Sequence, residues 1–116
     1  MRDMRSVVCD DDPMIAMIAS MLLKSEGFEV TTVGSAAELA SELAVGPPDL
    51  VVLDQELPDA SGEELIAVIK AAAPACRIIL FSGREPEADA SSEVFARVSK
   101  QGTDGLAAAI HRAATE

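Results

Sequence analysis

Two apolar runs in this sequence end in carboxylates. "SVVCDDDPM" sets Asp10, Asp11 and Asp12 directly behind Val7–Cys9, and "DLVVLD" closes on Asp54, followed by Gln55 and Glu56. A third run, "RIILFSG", delivers Ser82 and Gly83, and "VSK" delivers Lys100. Carboxylates from two neighbouring strand ends make a hard oxygen cage suited to Mg²⁺, which keeps waters and accepts phosphate oxygens. A carboxylate beside such a metal is a nucleophile toward phosphorus and gives an aspartyl phosphate. The metal, an ammonium and a hydroxyl would then neutralise the phosphoryl oxygens as charge develops. Taken singly, each residue has a plainer reading. Asp10 and Asp11 are a solvated strand end, Ser82 a turn serine, and Lys100 a surface lysine. Asp12, beside Pro13, is a helix N-cap with no metal role. Only the constellation lifts the others to a site.

That constellation needs elements that carry each run to one edge, and the periodicities supply them. "SVVC" (6–9) is a short β-branched run. Residues 12–28 read as a helix, with Ile15, Ile18, Ala19, Leu22 and Leu23 on one face and Gly27 as the stop. "EVTTV" (29–33) returns to period two. Ser35 and Glu38 form a capping box for a second helix over 36–45, and Ser61 with Glu64 does the same for a third over 61–74. "DLVVLD" (49–54) is apolar between its end carboxylates, as a strand covered on both faces must be. "RIILFS" (77–82) is a fourth strand, "EVFARVS" (93–99) a weaker fifth, and 104–114 a last helix with Leu106 and Ile110 inward. The alternation predicts an α/β fold with a doubly wound parallel sheet and helices on both faces. In such a sheet, ligands bind outside the carboxyl ends of the strands. Seventeen residues separate Ser82 from Lys100, and the fifth strand takes roughly six of them. The remainder, with Pro86 and small polar residues, leaves a helix there short or absent.

Composition bounds the partners. The 116 residues form one domain, 49% hydrophobic and 25% charged, with no Trp or Tyr, so the core is aliphatic. The net charge of −11 disfavours direct nucleic-acid binding and favours cations or a basic protein surface. No run is long enough to span a bilayer, and the N-terminus lacks a signal-like apolar segment, so the expected location is cytoplasmic. Cys9 and Cys76 read as buried thiols rather than a disulfide. The methionines read as core filler, Arg97 as a surface residue, and His111 as an exposed bystander.

These motifs, in this order, resemble the receiver domain of two-component response regulators, whose fold is the flavodoxin/CheY-like sheet of order 2-1-3-4-5. "VVCDDDP" looks like its acidic first-strand end. "DLVVLDQELPDASG" looks like its third strand and turn, with Leu57, Pro58 and Gly62 in place. "IILFSG" and "VSK" look like its hydroxyl and lysine strands. The resemblance implies Asp54 as phosphoacceptor for a sensor histidine kinase or phosphotransfer protein. It implies Mg²⁺ on Asp11, Asp54 and the Glu56 main-chain carbonyl, with Asp10 acting through water or at the margin. Ser82 and Lys100 would hold the phosphoryl oxygens. The Glu56 side chain at the site mouth would either discourage an attacking water or simply be solvated. Self-phosphotransfer, with no other substrate turnover, is then the only chemistry. Output passes by contacts with a downstream protein, unless the domain is a piece of a longer regulator.

Departures accompany the likeness. Gln101 follows the lysine where a proline is usual, and Arg97 occupies the aromatic switch position three residues before it. These, with the short or absent helix before the fifth strand, motivate an alternative, a pseudo-receiver that binds partners without phosphotransfer. A haloacid-dehalogenase-type phosphatase is a second alternative, because Asp10 and Asp12 have its D-x-D spacing. Met14, the lack of a late acidic pair and the lack of a cap domain weigh against it.

Overall fold

A computed structural model describes residues 4–82, 94–99 and 104–116. In chain order the elements are β1 (Met4–Cys9), α1 (Pro13–Ser25), β2 (Phe28–Val33), α2 (Ala36–Val45), β3 (Leu50–Asp54), α3 (Gly62–Ala72), β4 (Arg77–Ser82), β5 (Ala96–Ser99) and the last helix, α4 (Asp104–Thr115). All five strands pair in parallel, in the order β2-β1-β3-β4-β5. This is the expected sheet. The segment 83–93, where a short or absent helix was expected, lies outside the described residues, as do Lys100, Gln101 and Gly102.

Local signals set the boundaries. Asp12 is in extended conformation and its Oδ1 accepts from Met14 N at 2.9 Å, with Pro13 opening α1. A cap of this kind contributes about 1 kcal/mol. Gly27 ends the helix in the left-handed region, φ +92°, which costs a residue with a Cβ far more than glycine. Ser35 and Ser61 cap α2 and α3 by accepting from Glu38 N and Glu64 N, as the capping boxes predicted.

Helices cover both faces of the sheet. On one side α2 and α3 lay Leu39, Leu43, Leu65, Ile66 and Ile69 on Val7, Val51, Leu53, Ile78 and Leu80. On the other, α1 and α4 lay Ala16, Ala19, Leu23, Leu106 and Ile110 on Val8, Val52, Ile79 and Phe81. β3 is buried at every residue, which explains its unbroken apolar run.

The methionine expectation is corrected for α1. Met14, Met17 and Met21 are 66%, 56% and 64% exposed. The small Ala16 and Ala19 face the sheet instead and let the helix pack closely against it. His111 is exposed, as expected, and its Nδ1 lies 3.0 Å from Glu26 Oε2 on α1.

Both cysteines are free and buried. Burial, and for Cys9 also the neighbouring Asp10 charge, pushes each thiol up to about 12 from an ordinary 9.0. An unfolded thiol therefore ionises before a folded one. The stability that these thiols confer is complete below pH 9.0 and is lost as pH climbs toward about 12. The native protein should react with a thiol-specific disulfide reagent only as fast as it unfolds. A rapid burst from either thiol would contradict this burial.

Candidate functional site

Register brings the acids together. Cys9 pairs with Leu53, so the residues that follow, Asp10 just past β1 and Asp54 at the end of β3, stand side by side at the edge of the sheet. One carboxylate oxygen from each of Asp10, Asp11 and Asp54 lies within 4.8 Å of the others. Asp10 and Asp54 are each only 5% exposed, whereas Asp11 faces solvent. Asp12, one residue on, caps α1 and stands outside this cluster. The opening acidic run thus divides as its sequence implied.

Backbone donors hold the buried acids. Asp12 N donates to Asp10 Oδ1 at 2.9 Å, and Glu56 N donates to Asp54 Oδ1 at 3.2 Å. Asp10 N is itself tied to Val33 O at 3.0 Å, which anchors the first acidic turn to the end of β2. Three carboxylates so close repel one another strongly, since each pair is worth about 1–3 kcal/mol at this range. Such a donor set of hard oxygens matches Mg²⁺ or Ca²⁺ and no soft metal.

The turn after β3 is closed on itself. Gly62 N donates to Gln55 O at 2.8 Å, Leu57 N donates to Ala60 O at 3.1 Å, and Glu56 and Ser61 form an isolated bridge. Gly62 sits so tightly that a Cβ there would lie 2.6 Å from Asp54 O, 2.9 Å from Leu80 Cδ1 and 3.0 Å from Gln55 Cα. Glu56 is exposed at the mouth. Ser82, 9% exposed, ends β4 one position beyond Phe81, the register partner of Asp54. Lys100 was also expected here and lies outside the described residues.

Two site neighbours escaped sequence reasoning. Asp59, in the turn after β3, accepts from Ala36 N at 2.8 Å and Ala37 N at 3.1 Å, so it caps α2 from across the pocket. The Ala36 N–H above all, with that of Ala37, holds its carboxyl below the ordinary carboxylate range. Arg97 is the second, and its surface assignment is corrected. Its side chain is 12% exposed, and it donates from Nη1 to Glu63 Oε1 at 2.6 Å. Arg97 pairs with Leu80 across β4 and β5, on the sheet face that α3 covers, so a long side chain there reaches the first turn of α3. Its Nε is buried without a hydrogen-bond partner among the described residues.

Residues 7–103 match the family model of the response regulator receiver domain. The chain belongs to that family. Its receiver is 32% identical over 83 residues to the probable transcriptional regulatory protein TcrX of Mycobacterium tuberculosis, covering 72% of this chain and 36% of that protein. It is 38% identical over 78 residues to the DNA-binding transcriptional regulator NtrC of Azospirillum brasilense, covering 67% of this chain and 16% of that protein. The receiver thus spans little more than a third of the first relative's length and less of the second. Among solved structures it is similar to the response regulator TrrA of Thermotoga maritima in complex with Mg²⁺-BeF. That likeness has a TM-score of 0.82 at 30% identity and covers 95% of this chain and 98% of that one. The expectation that nucleic acid is avoided gains no support from relatives named as transcriptional and DNA-binding regulators. Among the described residues, no helix of this receiver is long and apolar enough to cross a membrane.

Proposed function

We infer that Asp54 of this receiver accepts a phosphoryl group from a histidine kinase or phosphotransfer protein, with Mg²⁺ as cofactor. The observation that carries this reading is the cluster of Asp10, Asp11 and Asp54 oxygens within 4.8 Å, at strand ends where a parallel sheet binds ligands. Asp11, Asp54 and the Glu56 main-chain carbonyl would hold the ion, with Asp10 acting through a water. Bound Mg²⁺ supplies positive charge that offsets the phosphoryl oxygens. The Glu56 N–H holds Asp54 Oδ1 and fixes the carboxylate orientation before the donor arrives. In the transfer, an Asp54 oxygen bonds to phosphorus as the bond to the donor's histidine nitrogen breaks, and the leaving imidazole keeps that electron pair. Ser82 and Lys100 would hydrogen-bond the phosphoryl oxygens.

The whole chain, 1–116, acts in this reading as one signalling domain with no other turnover. It works in the cytoplasm and passes its state on through protein contacts. The TrrA complex supports the cofactor, because its Mg²⁺-BeF is a phosphoryl mimic with its metal. Acetyl phosphate with Mg²⁺ should add the mass of one phosphoryl group, with the label on the peptide containing Asp54. No mass gain and no heat of Mg²⁺ binding would leave the chain a pseudo-receiver.

A further inference from the structure

Three features of this receiver stand outside the phosphoacceptor chemistry: the methionine stripe of α1, the Arg97–Glu63 pair, and Asp59. Nothing in the structure shows what covers the stripe. Arg97 and Glu63 engage each other. Asp59 alone is tied to both halves of the acidic pocket, and it carries an inference.

Asp59 lies in the closed turn that holds Asp54 and Glu56 at one end and Gly62 at the other. Its two oxygens take separate donors, Oδ1 from Ala36 N at 2.8 Å and Oδ2 from Ala37 N at 3.1 Å. α2 does not need this carboxylate to begin, because Ser35 already caps it through Glu38 N at 3.2 Å. Behind those amides runs the link from β2 to α2. Val33 O receives Asp10 N at 3.0 Å, and a methyl placed on Gly34 would touch Asp10 O and Asp11 Cα at 3.9 Å. One carboxylate therefore joins the turn carrying Asp54 to the segment braced against Asp10 and Asp11.

We propose that Asp59 is a positioning residue for the metal site, a clamp that fixes the Asp54–Glu56 half of the pocket against the Asp10–Asp11 half. The inference rests on the Mg²⁺ reading above. Without the clamp, the mutual repulsion of the three acids spreads the two halves, and the cation must close them at the expense of its own affinity. Groups that orient metal ligands from behind commonly change affinity by about ten-fold or more.

Isothermal titration of Mg²⁺ into the full chain tests this. Asp59→Ala should weaken binding by about ten-fold, and Asp59→Asn, which keeps one acceptor oxygen, should fall in between. Ser35→Ala removes the other cap of α2 and leaves the clamp intact, so it should lower the melting temperature without changing the Mg²⁺ affinity. Equal effects of Asp59→Ala and Ser35→Ala on affinity would overturn the clamp and leave Asp59 a helix cap only. A deficit of Asp59→Ala that vanished in about 1 M KCl, where the screening length is about 3 Å, would overturn it in favour of simple charge. Asp54→Asn separates the two claims. If it abolishes binding while Asp59→Ala does not weaken it, the clamp alone fails. If it leaves binding intact, Asp54 does not hold the ion and the clamp fails with that Mg²⁺ reading, while labelling by acetyl phosphate still decides the phosphoacceptor role.

Discussion

Asp54→Ala should incorporate no phosphoryl group from acetyl phosphate, and Mg²⁺ should no longer raise its melting temperature. In the parent, an ion that binds only the folded state stabilises it by mass action, by about 1.4 kcal/mol at ten times its dissociation constant. In the proposed reading, losing this one of three clustered carboxylates removes both a ligand and the nucleophile. It also relieves repulsion among acids that lie within 4.8 Å of one another. Asp54→Asn, which keeps an acceptor for Glu56 N, should therefore unfold later than the metal-free parent while remaining inert. A stability gain paired with lost function marks a residue kept for chemistry. Asp10→Ala should slow labelling without moving it. Label that survived Asp54→Ala and vanished in Asp10→Ala would overturn this assignment and point to phosphatase-type chemistry on the first strand.

The second large effect belongs to Gly62→Ala. Its methyl would stand 2.6 Å from Asp54 O and 3.0 Å from Gln55 Cα, both main-chain atoms that cannot swing aside. Forcing a methyl into packed backbone costs about 1–3 kcal/mol, more than the gain of about 1 kcal/mol from replacing glycine within a helix. Relief by a shift of that backbone displaces Asp54, and in the phosphoacceptor reading a misplacement of about 1 Å at the reacting group lowers rate about 100-fold. Denaturant unfolding and acetyl phosphate labelling should therefore both fall. Gly27→Ala provides the contrast. Its φ of +92° strains an alanine, yet nothing lies within 4 Å of the added methyl, so stability should drop while labelling per folded molecule stays unchanged. Equal labelling losses in the two variants would show that the close approach at Gly62 has no bearing on the site.

How much of this was legible in the sequence depended on whether a signal was local. The bounds of α2 at 36–45 and of β4 at 77–82 are legible, because a serine cap, a glycine and prolines bound one and charged or turn residues bound the other. The pairing of Asp10 with Asp54 followed from strand ends in a parallel sheet. The inward face of α1 was legible in Ile15, Ala19, Leu22 and Leu23, which pack on the sheet, but the exposure of its methionines was not. Ala16, Ala19 and Leu23 share the same helical spacing as Met14, Met17 and Met21, so periodicity alone permits either stripe to face inward. Side-chain size decided it, because close packing on the sheet accepts alanine more readily than methionine. Arg97 and Asp59 escaped because their partners are distant in sequence. Glu63 is 34 residues from Arg97, and Ala36 is 23 from Asp59. A lone turn aspartate and a strand arginine look ordinary until the fold closes around them.

The doubly capped start of α2 also has a consequence for how the receiver can be watched. The amides of Ala36, Ala37 and Glu38 all have side-chain acceptors, and Leu39 N is bonded to Ser35 O. First-turn amides ordinarily lack partners within their helix, and helix ends exchange their protons quickly as they fray. Here hydrogen–deuterium exchange at Ala36 and Ala37 requires their bonds to the Asp59 carboxylate to break. In a chain with neither Trp nor Tyr to fluoresce, those two protons form a built-in gauge of how often Asp59 lets go of α2.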